Sequence, residues 1–140
     1  MDKNRKLPVA YSEPLYWDKL TLLYESAMEE TLIKINVLNK EFKLSYSYSP
    51  IEHVNSRIKS PQSIISKLNR EEHSLTMGNI VKYVNDVAGV RIICAFSTDI
   101  FIIARMLASQ KDIKVLKVKD YVTNPKANGY RSYHMIISVP

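Results

Sequence analysis

Apolar side chains recur every three or four positions from Pro14 to about Lys43, and Leu20, Tyr24, Ala27, Thr31, Ile35, Leu38 and Phe42 fall on one face of a helix. Ser12 suits the N-cap, Glu13 the positive helix end and Pro14 the first turn. Such a helix, roughly 28 residues and 42 Å long, exceeds what a small domain covers, so part of its stripe is expected to meet another subunit. Residues 44–50 alternate and read as extended up to Pro50. Ile51–Ile58 reads as a strand, and Pro61 opens a short helix to about Asn69 that buries Ile64, Ile65 and Leu68. A polar irregular stretch over 70–78 leads to a short helix, Asn79–Asn85, and then Asp86 and a turn at Gly89. Val90–Phe96 is nearly unbroken apolar sequence, the pattern of a central strand covered on both faces. Ser97 or Thr98 caps a helix to about Ser109, with Asp99 in its first turn. Ile113–Val118 alternates apolar and basic residues, as a strand with one wet face does. A loop over Thr123–Gly129 precedes the last strand, Ser132–Val139.

This order predicts an α/β or α+β fold, a mixed β-sheet flanked by helices, with a long N-terminal helix. Residues 1–12 read as a flexible polar arm on a single domain spanning 1–140. The last strand stops at Pro140 without a polar tail, so the chain is expected to be cut from a longer one.

Composition narrows the function. With 46% hydrophobic residues in 140, wholesale disorder is excluded. The most apolar stretches are far shorter than the roughly 20 residues a bilayer needs, so no membrane partner is expected. Cys94 is the only cysteine, which rules out an internal disulfide and a thiolate metal cluster. No apolar leader follows Met1, and a cytoplasmic protein fits best. Twenty Lys and Arg against fourteen Asp and Glu leave a net charge of +6, which favours anionic partners such as nucleotides or nucleic acid.

Three segments concentrate candidate chemistry. In Ser56-Arg57-Ile58-Lys59-Ser60-Pro61, Arg57 and Lys59 leave one face of the strand, and Ser63 and Lys67 share a face of the following helix. With the helix N-terminus they make a polyanion site, although a solvated basic edge has the same pattern. In Asp86-Val87-Ala88-Gly89-Val90-Arg91, Asp86 is either a turn residue or a Mg²⁺ ligand, and Arg91 either its partner or a phosphate contact. From Lys114 to His134 there are five Lys or Arg and one Asp. Here Tyr130 offers a flat surface to a nucleobase, Asn128 reads a base edge or caps the turn, and His134 donates to a phosphate or is structural. A long hairpin connection with a core tyrosine would look similar. There is no P-loop and no Gly-rich dinucleotide turn.

Taken together, the segments resemble the synthetase domain of the RelA/SpoT family, in the form of a small alarmone synthetase (GTP pyrophosphokinase). The resemblance covers about residues 51–140. It rests on Arg57, Lys59, Ser63 and Lys67; on Asp86 through Arg91 with Cys94 and Phe96; and on Lys119-Asp120-Tyr121, Asn124-Pro125-Lys126, Asn128-Gly129-Tyr130-Arg131-Ser132 and His134. It implies a nucleotidyltransferase-like fold and transfer of pyrophosphate from ATP to the 3′-hydroxyl of GTP or GDP. By position, Arg57 would stack on adenine while Lys59, Ser63 and Lys67 hold the ATP phosphates. Asp86 would bind Mg²⁺ and Arg91 would support the phosphates. Tyr130 would stack on the acceptor guanine, with Lys119, Lys126, Asn128 and His134 lining its pocket. The family's second metal carboxylate, a Glu, has no match in this sequence, which is expected to leave the chain as it stands weakly active. Lys117 stands where relatives carry Arg or Glu, and is closer to the Arg type. The resemblance also implies a homo-oligomer, with a tetramer among the assemblies it allows. A basic RNA- or nucleotide-binding module without catalysis and a tRNA-pyrophosphorylating relative are the alternatives.

Overall fold

The computed structural model describes residues 14–129 and 132–139. Its elements run α1 (Pro14–Tyr46), β1 (Ile51–Ile58), α2 (Pro61–Arg70), α3 (Met77–Tyr83), β2 (Ala88–Cys94), α4 (Ser97–Ala108), β3 (Lys114–Asp120) and β4 (Tyr133–Ser138). Among the described residues the strands form two two-stranded sheets, β1 with β2 and β3 with β4. The α+β class therefore stands, built from two small sheets rather than one mixed sheet. No helix among the described residues is long and apolar enough to cross a membrane.

The chain divides into two compact units. In the first, which takes in the start of α1 and Ser56–Val90, the core is Leu20, Ile64, Leu68, Leu75, Ile80, Val84 and Val87, with Trp17, Tyr24, Ile65 and Tyr83 packed around it. Ile64 and Leu68 lie one turn apart on α2, as Ile80 and Val84 do at α3, so each short helix contributes one apolar face. Each such buried side chain is worth about 1.5–3 kcal/mol. Both helices begin on a hydroxyl cap. Ser60 Oγ accepts from Ser63 N at 3.2 Å with Pro61 behind it, and Thr76 Oγ1 accepts from Asn79 N at 3.0 Å.

The second unit takes Glu29–Asn55 and the chain from Arg91 on. Thr31, Ile35, Leu38 and Phe42 are its buried residues on α1; Asp99, Ile103, Ala104 and Leu107 are those on α4. β3 and β4 pair antiparallel, with Lys119 opposite His134 and Asp120 opposite Tyr133, and a register shift between Val115 and Lys117. Phe101 of α4 packs edge to face on Tyr133, ring centroids 5.7 Å apart. That contact lies on the Asp120/Tyr133 side of the hairpin, and Lys117, Lys119 and His134 occupy the opposite side.

Four local expectations need correction. Residues 44–46 continue α1 instead of extending. Tyr46 packs on Phe42 one turn earlier at 4.3 Å, and the helix ends only where Ser47 turns left-handed at φ 64 and donates to Lys43 O at 2.8 Å. Gly89 is not a turn residue but part of β2, and the turn sits just upstream at 85–86. Finally, β2 starts at Ala88 and is only half covered: Arg91 is exposed and Ile93 keeps 41% of its surface. Arg91 and Ile93 alternate with more covered neighbours, the pattern of a strand with one open face. α4 likewise takes Phe96 as its N-cap with no side-chain cap bond, so neither Ser97 nor Thr98 plays that part.

Candidate nucleotide-binding surfaces

The first unit gathers one cluster. Arg57 is exposed near the end of β1, and Lys59 follows it, its backbone N–H donating to Val87 O at 2.7 Å. That bond ties the end of the strand to the segment carrying Asp86. The Lys59 ammonium then reaches Asp86 Oδ2 at 3.1 Å, and Lys67, from the second turn of α2, reaches Oδ1 at 3.5 Å. Each carboxylate oxygen thus faces one ammonium. The lysine side chains are 17% and 25% exposed, whereas the carboxylate is 48% exposed. Partial burial works against the charged carboxylate, but the Lys59 hydrogen bond and the Lys67 charge outweigh it and hold Asp86 below the usual carboxylate range. Ser63 stands at the same helix end, its hydroxyl accepting from Ser60 Oγ at 2.9 Å. Three of the residues singled out from sequence, Lys59, Lys67 and Asp86, are therefore in contact, with Arg57 and Ser63 on the strand and helix that carry the lysines.

The second unit gathers another group on the β3–β4 hairpin. Lys119 and His134 are direct cross-strand partners and share a face. Asp120 shapes the exit from β3: Oδ1 accepts from Val122 N at 3.0 Å and Thr123 N at 2.9 Å, and Oδ2 from the Thr123 hydroxyl at 2.7 Å. These bonds hold its carboxyl below the usual range, the Thr123 N–H first among them. Lys126 folds back so that its ammonium lies 4.7 Å from the centre of the Tyr121 ring. Gly129, at φ 84, closes a turn by donating to Lys126 O at 2.8 Å, a conformation glycine adopts without strain, and Asn128 is exposed within that turn. Arg91 is exposed on β2. Tyr130, and Arg131 with it, lies outside the described residues.

Sequence reasoning included Tyr121 in the Lys119-Asp120-Tyr121 stretch but gave it no role; in the structure it touches both Lys126 and His134. The signal was present: Tyr121 follows Lys119 by two, the same-face spacing that linked Arg57 to Lys59. Among the described residues no group of three or more His, Cys, Asp or Glu is placed to hold a metal ion. Any divalent ion at Asp86 would rest on one protein carboxylate, which is a usual number for Mg²⁺ bound with phosphates.

A cationic cluster in one unit and a cationic, aromatic group in the other are features that suit anionic ligands, and the comparisons specify the family. The region found in RelA / SpoT proteins matches residues 56–140. The GTP pyrophosphokinase YwaC of Bacillus subtilis is 40% identical over 124 residues, 89% of this chain and 59% of its own length. YjbM, another GTP pyrophosphokinase of B. subtilis, is 35% identical over 89% of this chain and 57% of its own. Among solved structures, small alarmone synthetase 1 of B. subtilis bound to its product pppGpp superposes with TM-score 0.75 at 35% identity, covering 89% of this chain and 62% of that one. A GTP pyrophosphokinase family protein of Streptococcus pneumoniae gives 0.79 at 31% identity over 91% of this chain and 62% of its own. The chain belongs to the RelA/SpoT family. It spans less than two-thirds of the length of these relatives.

Proposed function

We propose that this chain forms the larger part of a synthetase domain that moves the β,γ-pyrophosphate of ATP to the 3′-hydroxyl of GTP or GDP, yielding pppGpp or ppGpp and AMP. The observation that carries this reading is the Lys59–Asp86–Lys67 cluster, in a chain whose relatives are GTP pyrophosphokinases and whose structural neighbour was solved with pppGpp. The 3′-oxygen bonds to the β-phosphorus of ATP, the bond between that β-phosphorus and the α,β-bridging oxygen breaks so that AMP leaves with the oxygen, and the hydroxyl proton is released. Such transfer asks little covalent chemistry of the protein and much positioning and charge neutralisation.

The roles divide by surface. Arg57 stacks on adenine, and Lys59, Ser63 and Lys67 hold the ATP phosphates, with Arg91 supporting them. A triphosphate is a far stronger partner for the two ammoniums than one carboxylate, so its arrival draws Lys59 and Lys67 off Asp86. Asp86 is the residue that would hold Mg²⁺, which when bound would supply charge neutralisation at the phosphates. On the hairpin, Tyr130 stacks on the acceptor guanine while Lys119, Lys126, Asn128 and His134 line its pocket. The cytoplasm is the matching compartment, and a homo-oligomer, up to a tetramer, the matching assembly.

The test is to incubate the protein with ATP, GDP and Mg²⁺, with and without tRNA. AMP appearing together with a more highly phosphorylated guanosine supports the reading. Label transferred to tRNA in preference to GDP, or RNA binding that falls steeply with salt and yields no AMP, overturns it.

A further inference from the structure

We propose that Tyr121 is a positioning residue of the acceptor surface, holding Lys126 on the face of its ring and His134 in edge-to-face contact, so that the ammonium and the imidazole keep a fixed spacing. The inference rests on the acceptor role proposed above for that hairpin and deepens it. Three observations within one unit support it. The Tyr121 backbone N–H donates to Ser132 O at 2.7 Å, which carries the β3–β4 ladder one step past Asp120 and Tyr133. Tyr121 therefore shares a face with Lys119, two residues back, and lies diagonal to His134 across the hairpin. Its ring meets the His134 ring at 5.6 Å with planes at 89°, and the Lys126 ammonium stands 4.7 Å from its centre.

The chemistry needs an aromatic residue at this place. The negative face of the ring attracts the ammonium, and a perpendicular ring pair is the favoured arrangement of two such quadrupoles. Hairpin packing on α4 is handled from the opposite side by Tyr133 and Phe101, so Tyr121 is not needed to seal that core. Asp120 reinforces the arrangement: its three bonds to Val122 and Thr123 set the path by which the chain returns Lys126 over the ring. Removing the ring removes one of the contacts that place the Lys126 ammonium, and ordering a side chain at the moment of binding costs affinity.

Tyr121→Phe keeps the ring and Tyr121→Leu removes it while retaining apolar bulk, which separates positioning from filling. Calorimetry on the intact protein should give a Kd for GDP within about twofold of the parent for Tyr121→Phe and roughly tenfold weaker for Tyr121→Leu. The Kd for a non-hydrolysable ATP analogue should change less than about twofold in both. In NMR spectra the Lys126 ε-methylene protons should be shifted upfield by the ring in the parent and in Tyr121→Phe. A Tyr121→Leu protein that binds GDP as the parent does, or a Tyr121→Phe protein that loses as much as Tyr121→Leu, overturns the inference. So does an unshifted Lys126 signal in the parent, which needs no variant to fold. A parent that shows the ring shift yet has no affinity for guanine nucleotides overturns the acceptor role itself, and leaves the ring contact standing.

Discussion

Lys59 and Asp86 lie 27 positions apart in sequence and meet at 3.1 Å, the lysine at the end of a strand and the aspartate at the turn that leads into its partner strand. Lys67 completes the arrangement from α2 at 3.5 Å. The carboxylate thus occupies the place between two ammoniums, which under the proposed function is where a phosphate would sit. Its loss and its titration should have separate signatures.

Asp86→Asn removes a charge and keeps the shape. Because the side chain is about half exposed, the fold should persist, with a melting temperature within a few degrees of the parent. Turnover should fall by about a hundredfold or more. Rates of AMP release beside thermal melts check this, and a stable variant with parental turnover would remove Asp86 from the chemistry.

The pH dependence of stability follows from the same contact. The folded-state pKa of Asp86 is depressed, so its contribution is present above the unfolded value, near 3.9, and is lost as pH falls through the lower folded value. Urea midpoints of the parent and Asp86→Asn should therefore differ most at neutral pH and converge as pH drops below about 4.

Tyr48 and Asp99 form a second long-range pair. Asp99 is only 1% exposed, and its Oδ1 accepts from the Tyr48 hydroxyl at 2.6 Å; Oδ2 is buried without a hydrogen-bond partner among the described residues. That bond, ahead of burial and the Asp99 charge, pushes the Tyr48 phenol from 10.0 up to about 12. Its stabilisation is complete below pH 10 and disappears as pH rises through 12. Tyr48→Phe should lower the melting temperature by roughly 5–10 °C at neutral pH and flatten the loss of stability in that alkaline window. Melts at pH 7 and across pH 9–12 measure both effects.

Cys94 should be a sluggish thiol. Burial first, then the charges of Asp99 and Glu52, push it from 9.0 up to about 11. At pH 7.5 its reaction with a disulfide reagent should be about a hundredfold slower in the folded protein than in urea. Equal rates in both would show that the site is open.

Much of the fold was legible because it is local. The start of β1, the Pro61 start of α2 and the buried stripe of α1 follow from a strand's period, a proline with a serine before it, and a helix's period. Residues 44–46 misled because Leu-Ser-Tyr-Ser alternates like a strand, whereas the deciding contact, Tyr46 on Phe42, has a helical spacing of four. The half-exposed state of β2 and the pairing of Tyr48 with Asp99, 51 positions away, carry no local mark. At the candidate site, same-face spacing paired Arg57 with Lys59 and Ser63 with Lys67, but the meeting of the two lysines on Asp86 depends on how strand, helix and turn pack. The spacing of Tyr121 from Lys119 was legible, but its contact with Lys126 depends on how the loop returns across the ring.

The most direct measurement uses ATP labelled at the β-phosphorus, offered with unlabelled GDP and Mg²⁺. Transfer of an intact pyrophosphate requires the label to appear in the guanosine product in one-to-one ratio with AMP. Label that remains in ADP, or leaves as free pyrophosphate with no labelled guanosine, would contradict the account.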